Sequence, residues 1–400
     1  MSTGPAHRED HRVEVFAWAT DDDPERVVEK AAVDSLVEVF AQRSPGQDFV
    51  NPVLAGGGDG AADPVAVLQA RLQDNDPPDG IQLHPGGEVT DHVDAGRLAD
   101  LGDRFARWGL LDLLPQGLLD ALTVDGNVYC LPVGIHRLML WGNEEALAGA
   151  GLTGRPANLG EFVHHLDALR ASGINHPLAL GPHWTQLDLL EGLLLAELGP
   201  DRFEALWTAE ADWSTGDVTE VLENYKKLLS YSNPDRDSLH WTEAAKRLSS
   251  GEAGYFFMGD WVAAELESHG FTHYSYQPFP GTDGTFQWLG DAFVLPKNAP
   301  NPAGADSWLE TVASVEGQRA FNTIKGSIPI RRDADPADYS HYQRAAIADF
   351  HRLRLVPSCA HGSACPPART IPVVVAVNEF SSTGDVAELQ AAIAAGIAGH

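Results

Sequence analysis

The stretch from Arg12 to His84 constrains the fold most, because it reads as strand, helix, helix and strand with helix-starting signals between them. Arg12 to Trp18 sets Val13, Val15 and Ala17 against Glu14, Phe16 and Trp18, the two-residue period of a strand. Asp21-Asp22-Asp23-Pro24 follows, a capping acid with proline at the first helical position. Val28, Ala32, Leu36, Val39 and Phe40 then recur at helical spacing and predict an apolar stripe. Asp63-Pro64 repeats the start signal ahead of Val65, Leu68 and Leu72, Asp76-Pro77-Pro78-Asp79 breaks that helix, and Gly80 to His84 reads as the next strand. Strands alternating with helices predict an α/β fold with parallel pairing, in which ligands collect at the carboxyl ends of the strands. Trp18 lies at the end of the first such strand. Gln82 and His84 project to one side of the second, since side chains repeat every two residues.

Four hundred residues exceed what one core ordinarily holds, which predicts two lobes. Asp125-Gly126-Asn127 signals a hairpin, and Val128 to Val133 reads as a strand running into Gly134-Ile135-His136-Arg137, where the chain is expected to cross to the second lobe. Leu138 to Trp141 is the next strand and Asn143 starts a helix. Pro177 to Gly181 leads to Trp184, and Tyr255 to Met258 is an apolar strand that delivers Asp260 and Trp261 at its end. The run ending in Lys297 is expected to return the chain to the first lobe, with Trp308 through Phe321 helical. A last crossing near Lys325 to Arg332 precedes a final alanine-rich helix over Leu389 to Ile397. These readings predict lobe one over 12–133 plus 292–330, and lobe two over 134–291 plus 331–400.

Charge removes two classes of partner. With 57 acidic and 27 basic residues the net charge is −30, so the surface repels nucleic acid and anionic lipid. Lysine is scarce, 6 against 21 arginines, and both salt adaptation and a GC-rich source fit that bias. No stretch approaches the roughly 18 apolar residues that span a bilayer. The polar start, Met1 to Asp10, has no signal-peptide core and taken literally reads as cytoplasmic. Of three cysteines, Cys130 reads as a buried thiol, while Cys359 and Cys365 are near enough in sequence to close a small loop. A zinc site on Cys359, His361 and Cys365 lacks a fourth ligand and paired C-x-x-C spacing.

Several short segments, taken in order, carry a family resemblance: Gln82-x-His84, Met258-Gly259-Asp260-Trp261, Gly290-Asp291-Ala292-Phe293-Val294-Leu295-Pro296-Lys297, Glu316-Gly317-Gln318 and Lys325-Gly326-Ser327-Ile328-Pro329. Together they resemble the solute-binding proteins of ABC sugar importers, most like the branch that binds glucose and related monosaccharides. The resemblance runs from about Val13 to Ile397. It implies an α/β two-lobed periplasmic-binding-protein fold of type II with the ligand cleft between the lobes, a monomer that catalyses nothing and needs no cofactor or metal. It further implies delivery of the sugar to ABC permease subunits and an extracytoplasmic place, periplasmic or as a cell-surface lipoprotein, with the export segment absent from this chain. Glucose is the sugar the resemblance favours, with galactose and mannose next; an oligosaccharide receptor of the same fold is the nearest alternative.

The same resemblance assigns roles. Gln82 and His84 are expected to hold hydroxyls from lobe one, Asp291, Lys325 and His361 to complete the ring, and Trp241 and Trp261 to supply apolar platforms. Trp18 and Trp184 are further candidate aromatics, His136 matches a histidine at the lobe crossing, and Asp23 matches a position where the branch usually has a longer acid. Ala19 after Trp18, Asp23 itself, and the cysteines bracketing His361 depart from the pattern.

The residue types suit the task. A monosaccharide presents hydroxyls around two weakly apolar C–H faces, so a selective site needs rigid aromatic planes and a rim of bidentate polar groups. Each residue also has an ordinary role open to it: tryptophans as core, Asp260 and Asp291 as helix caps, Lys325 as a solvated base, His84 and His361 as satisfied interior histidines. A glycosidase pairing of Asp260 with Asp291 is the catalytic rival. The sequence holds no Gly-x-Ser-x-Gly elbow, no His-Glu-x-x-His pattern and no Walker loop, Gly56 to Gly60 lacking the Lys-Ser/Thr end.

Overall fold

Chain contacts divide the protein into two units, Met1–Ile135 with Gly290–His351 and His136–Leu289 with Arg352–His400. The computed structural model describes residues 11–18, 27–52 and 64–399. The polar start, Ala19, the Asp21-to-Pro24 capping signal with Asp23, Gly56 to Gly60 and Asp63 lie outside the described residues.

In the first unit the alternating stretch is the strand Arg12–Phe16, with Val13 and Val15 fully buried. It pairs in parallel with Asp48–Val50 and with Gly80–Leu83. Gly80–Leu83 in turn pairs antiparallel with the end of Thr285–Val294, Phe293 opposite Gln82. One antiparallel member among parallel strands makes this a mixed sheet. Helix Val27–Arg43 packs on the helices Pro302–Ala313 and Val315–Lys325. Its inner face is Glu29, Ala32, Val33, Leu36 and Phe40. Val28 and Val39, assigned to the stripe from sequence, stand at its half-buried margins. The helix is turned because Glu29 has polar partners inside, as the site shows. Buried Trp308 anchors the aromatic core, its ring 4.9 Å from Phe49, 5.2 Å from Phe293 and 5.5 Å from Phe40.

Two sequence expectations need correction here. The helix expected over Trp308 to Phe321 is two helices, Pro302–Ala313 and Val315–Lys325, because Ser314 caps the second by accepting from Gly317 N–H at 3.0 Å. The last passage between units falls after His351 rather than after Ile330. Helix His341–Phe350 stays with the first unit because Gln343 Nε2 donates to the carbonyls of Asn322 at 2.8 Å and Ser327 at 2.6 Å.

The same segment grips the strand that leads out of the unit. Ile135 and Ile328 exchange backbone hydrogen bonds at 2.9 and 2.8 Å, and Asn322 Nδ2 donates to Val133 O at 2.8 Å. A Cβ on Gly134 would stand 2.4 Å from Asn322 Oδ1 and 2.6 Å from Ser327 Oγ, so any larger residue would push those two side chains out of place. The hairpin expected at Asp125-Gly126 is present, Thr123–Val124 against Asn127–Val128.

The second unit is built on strand Tyr255–Gly259. It pairs antiparallel with Leu138 to Gly142 of the long strand Cys130–Asn143, and in parallel with Leu178–Ala179. Tyr274–Gln277 lies on the other side of Cys130–Asn143, and Thr285 to Trp288 pairs in parallel with Arg354–Pro357. Asn143 starts the following helix by accepting from Ala146 N–H at 2.9 Å. Helix His183–Leu198 runs through the core, buried from Thr185 to Leu195 among Phe257, Phe279, Tyr225 and Leu222. The chain ends on two paired helices, Pro367–Thr383 and Val386–Ala398. Among the described residues no helix is long and apolar enough to cross a membrane.

Candidate functional site

Five of the residues singled out from sequence converge in the first unit. Gln82 is buried on its strand, and its amide is oriented by three partners: Oε1 accepts from Trp18 N–H at 3.2 Å, while Nε2 donates to Glu29 Oε1 at 3.2 Å and reaches Asp291 Oδ1 at 3.5 Å. Asp291 stands on the neighbouring antiparallel strand one residue before Ala292, the partner of Leu83. His84 follows the end of the Gln82 strand, its ring 4.4 Å from the Trp18 indole and tilted 38° to it. Lys325, last residue of its helix, places Nζ 3.4 Å from Glu29 Oε2. Trp18, His84 and Lys325 are half-buried above the buried Gln82, Glu29 and Asp291.

The charges in this cluster are ordered. Glu88, in the first turn of helix Gly87–Asp94, accepts from His84 N–H at 2.8 Å and meets His84 Nδ1 at 2.7 Å. Burial works against a charged His84. The hydrogen bond and charge of Glu88, with Asp291 and Glu29 behind them, nonetheless hold its pKa above the ordinary histidine value. Burial likewise works against a charged Glu88, and its His84 contacts outweigh that, holding it below the usual carboxylate range. The group therefore offers fixed cationic donors and anionic acceptors beside an aromatic plane.

The second unit gathers four more. Strand Tyr255–Gly259 ends in Asp260-Trp261, and the Trp261 indole folds back over Gly259, where a Cβ would meet its Cζ3 at 2.0 Å. Around the half-buried Trp261 stand His136 with ring centroids 5.1 Å apart, His361 at 5.6 Å and Trp184 at 6.3 Å. Trp184 and His361 also face each other at 5.6 Å. Buried acids orient both histidines. Asp260 Oδ1 lies 2.5 Å from His136 Nδ1 while its Oδ2 accepts from Arg137 N–H at 3.1 Å, and Asp188 Oδ1 lies 3.0 Å from His361 Nε2. Trp241 is placed differently from the other tryptophans. It opens helix Trp241–Ser249 with its ring 5.8 Å from His240, and its backbone packs on Gly181, ahead of the Trp184 helix.

Asp260 and Asp291, the glycosidase pair weighed from sequence, belong to different units and are engaged by different partners, His136 and Gln82. Cys359 and Cys365 are disulfide-bonded with Cα atoms 5.1 Å apart, closing the loop that carries His361. Burial pushes the Cys130 thiol up to about 12. No group of three or more His, Cys, Asp or Glu among the described residues is arranged to hold a metal ion.

Sequence reasoning missed four acids: Glu29, Glu88, Asp188 and Glu191. Glu29 had a signal, since it lies three residues before Ala32 and seven before Leu36 on the buried face. Asp188 and Glu191 had another: they are the carboxylates within the leucine-rich stretch Thr185 to Leu195 of their helix.

Comparison with known proteins agrees with this architecture. The family model described as bacterial extracellular solute-binding protein matches residues 25–319, and the chain belongs to that family. It is 30% identical over 384 residues to an uncharacterized ABC transporter extracellular-binding protein of Pyrococcus horikoshii, covering 94% of this chain and 84% of the relative. A probable sugar-binding periplasmic protein of Brucella suis is 28% identical over 408 residues, covering 97% and 93%. Among solved structures, a chitin oligosaccharide binding protein superposes with a TM-score of 0.80 at 21% identity, covering 97% of this chain and 99% of that one. The last likeness bears on the fold, which is the α/β two-lobed periplasmic-binding-protein fold.

Proposed function

We propose that this protein is the extracytoplasmic sugar receptor of an ABC importer, and that it binds one monosaccharide through both clusters and passes it to permease subunits. The observation that carries the reading is the first cluster, where Trp18 and His84 present ring faces beside Gln82, Asp291 and Lys325. Such a group matches a ring of hydroxyls around a weakly apolar face. Ionised partners make the stronger hydrogen bonds, each to a charged group worth about 1.5–3 kcal/mol. Trp184, Trp261, His136 and His361 serve the same sugar from the second unit, and Trp241 stands as an outer aromatic contact. Asp23 belongs to the proposed set through the family pattern. Glucose is the favoured ligand, ahead of galactose and mannose.

Binding is the whole of the proposed task. The acids of both clusters already serve as hydrogen-bond acceptors for neighbouring side chains. A sugar touching both units favours a closed form, which the permease then recognises; the protein works as a monomer in the periplasm or at the cell surface. An oligosaccharide receptor is the second reading, favoured by the likeness to the chitin oligosaccharide binding protein. Calorimetric titration of ligand-stripped protein with glucose, galactose, mannose and maltose separates them. A hexose is expected to bind tightly and to lose binding in Asp291→Ala. Heat with maltose alone would move the specificity to oligosaccharides, and no heat with any sugar would refute the assignment.

A further inference from the structure

Helix His183–Leu198 carries two carboxylates one turn apart, Asp188 and Glu191, among Leu187, Leu189, Leu190, Leu193 and Leu194. Neither reaches solvent. A carboxylate persists in such surroundings where hydrogen bonds replace its water. Asp188 meets His361 directly. Glu191 meets the residues just before that histidine: Oε1 accepts from the backbone N–H of Cys359 at 2.7 Å and of Ala360 at 2.8 Å, and Oε2 accepts from Ser358 Oγ at 2.7 Å and Gln287 Nε2 at 3.2 Å. The loop is closed from its other side by the Cys359–Cys365 disulfide and by Ser363 and Ala364 N–H donating to Ser358 O at 2.9 and 2.8 Å.

We propose that Glu191 is a positioning residue for sugar binding, fixing Ser358 to Ala360 so that His361 stands on Asp188 beside Trp184 and Trp261. The inference rests on the reading above that His361 touches the sugar. A leucine would suit the apolar neighbours in shape, but it strips the acceptor from Ser358 Oγ, Gln287 Nε2 and the loop backbone, which costs stability as well as position. What leucine lacks is an acceptor for two consecutive backbone N–H groups. Burial and the nearby Asp188 carboxylate push Glu191 up to about 8, against the pull of the Ser358, Ala360 and Cys359 hydrogen bonds. The neutral acid keeps the clamp: Oε1 still accepts both N–H groups and the acid proton turns to Ser358 Oγ. Glutamine reproduces that pattern with its own oxygen and amide, once the Gln287 amide turns its oxygen towards the new N–H donor.

The test is calorimetric titration with glucose of the wild type, Glu191→Leu, Glu191→Gln, His361→Ala and the Glu191→Leu/His361→Ala double variant. Glu191→Leu is expected to weaken binding about tenfold or more, and Glu191→Gln to restore it to within about threefold of wild type. The double variant is expected to bind no more weakly than His361→Ala, because the clamp acts through that histidine. Wild-type affinity in Glu191→Leu, or losses that multiply in the double variant, would overturn the proposal while leaving the sugar reading intact. Should Glu191→Leu fail to fold, Glu191→Asp draws the carboxylate one methylene away from the loop. Its binding is then expected to weaken several-fold, and unchanged affinity would overturn the proposal. A wild type that takes up no sugar overturns both.

Discussion

Gly259→Ala is a single-methyl change with a calculable target. The added Cβ would lie 2.0 Å from Trp261 Cζ3 and 2.1 Å from Cη2, about 1.4 Å inside the 3.4 Å at which ordinary contact begins. Gly259 is not among the positive-φ glycines, so its backbone accepts alanine, and the indole is what must move. Moving it breaks the ring contacts with His136, His361 and Trp184. Each of the three aromatic pairs is worth about 0.5–1.5 kcal/mol, and overpacking costs about 1–3 kcal/mol, so a loss of about 2.5–7.5 kcal/mol of stability is expected. Sugar affinity is expected to fall about 10- to 30-fold as a central aromatic contact is displaced. Denaturant unfolding followed by tryptophan fluorescence reads the first effect and calorimetry with glucose the second. The control is Trp261→Ala: with the indole gone, adding Gly259→Ala is expected to change stability by no more than about 0.5 kcal/mol. Wild-type stability and affinity in Gly259→Ala, or an undiminished penalty in the Trp261→Ala background, would refute this account of the Gly-Asp-Trp turn.

Other expectations follow from the same geometry. Asp291→Ala removes an acceptor beside Gln82 and is expected to weaken hexose binding by about 2–4 kcal/mol, some 30- to 1000-fold by calorimetry. His84 has a raised pKa, so its contribution to stability is present below about 6.5 and is lost as pH rises through the raised value. Glu88→Gln is expected to bring the His84 midpoint down in an NMR titration of its ring protons, and an unchanged midpoint would contradict the pairing. Glu191 also titrates high, so its contribution is present below the ordinary carboxylate value and falls as pH rises from about 4.5 to about 8. The expected change is on the order of 5 kcal/mol, read by denaturation across that range and absent in Glu191→Gln.

What the sequence revealed was mostly local. Alternation in Arg12 to Trp18, the Asn143 cap, the Asp125-Gly126 hairpin and the Gly-Asp-Trp turn depend on neighbours a few residues away, and the structure has them. Gln82 and His84 were paired from sequence by the strand period, whereas the strand ends at Leu83 and His84 follows it. What was not legible depended on distant partners. Glu29 turns its helix inward because Gln82 and Lys325 await it, more than fifty residues on. The third passage between units lies after His351 because Gln343 bonds back to Asn322 and Ser327. Glu88 shows a milder version, since its closeness to His84 was visible but the turn that brings them together was not. Asp188 and Glu191 looked like interruptions in an apolar helix, and only the folded loop at Ser358 to His361 supplies their partners.

The central claim, that one sugar is held by residues of both units, is tested most directly by stoichiometry. Calorimetric titration of ligand-stripped protein with glucose, repeated on Asp291→Ala and on Trp261→Ala, is predicted to show one site per chain in the wild type and severe weakening of that same site in either variant. Two sites per chain, or a variant in one unit that leaves a full-affinity site in the other, would contradict it.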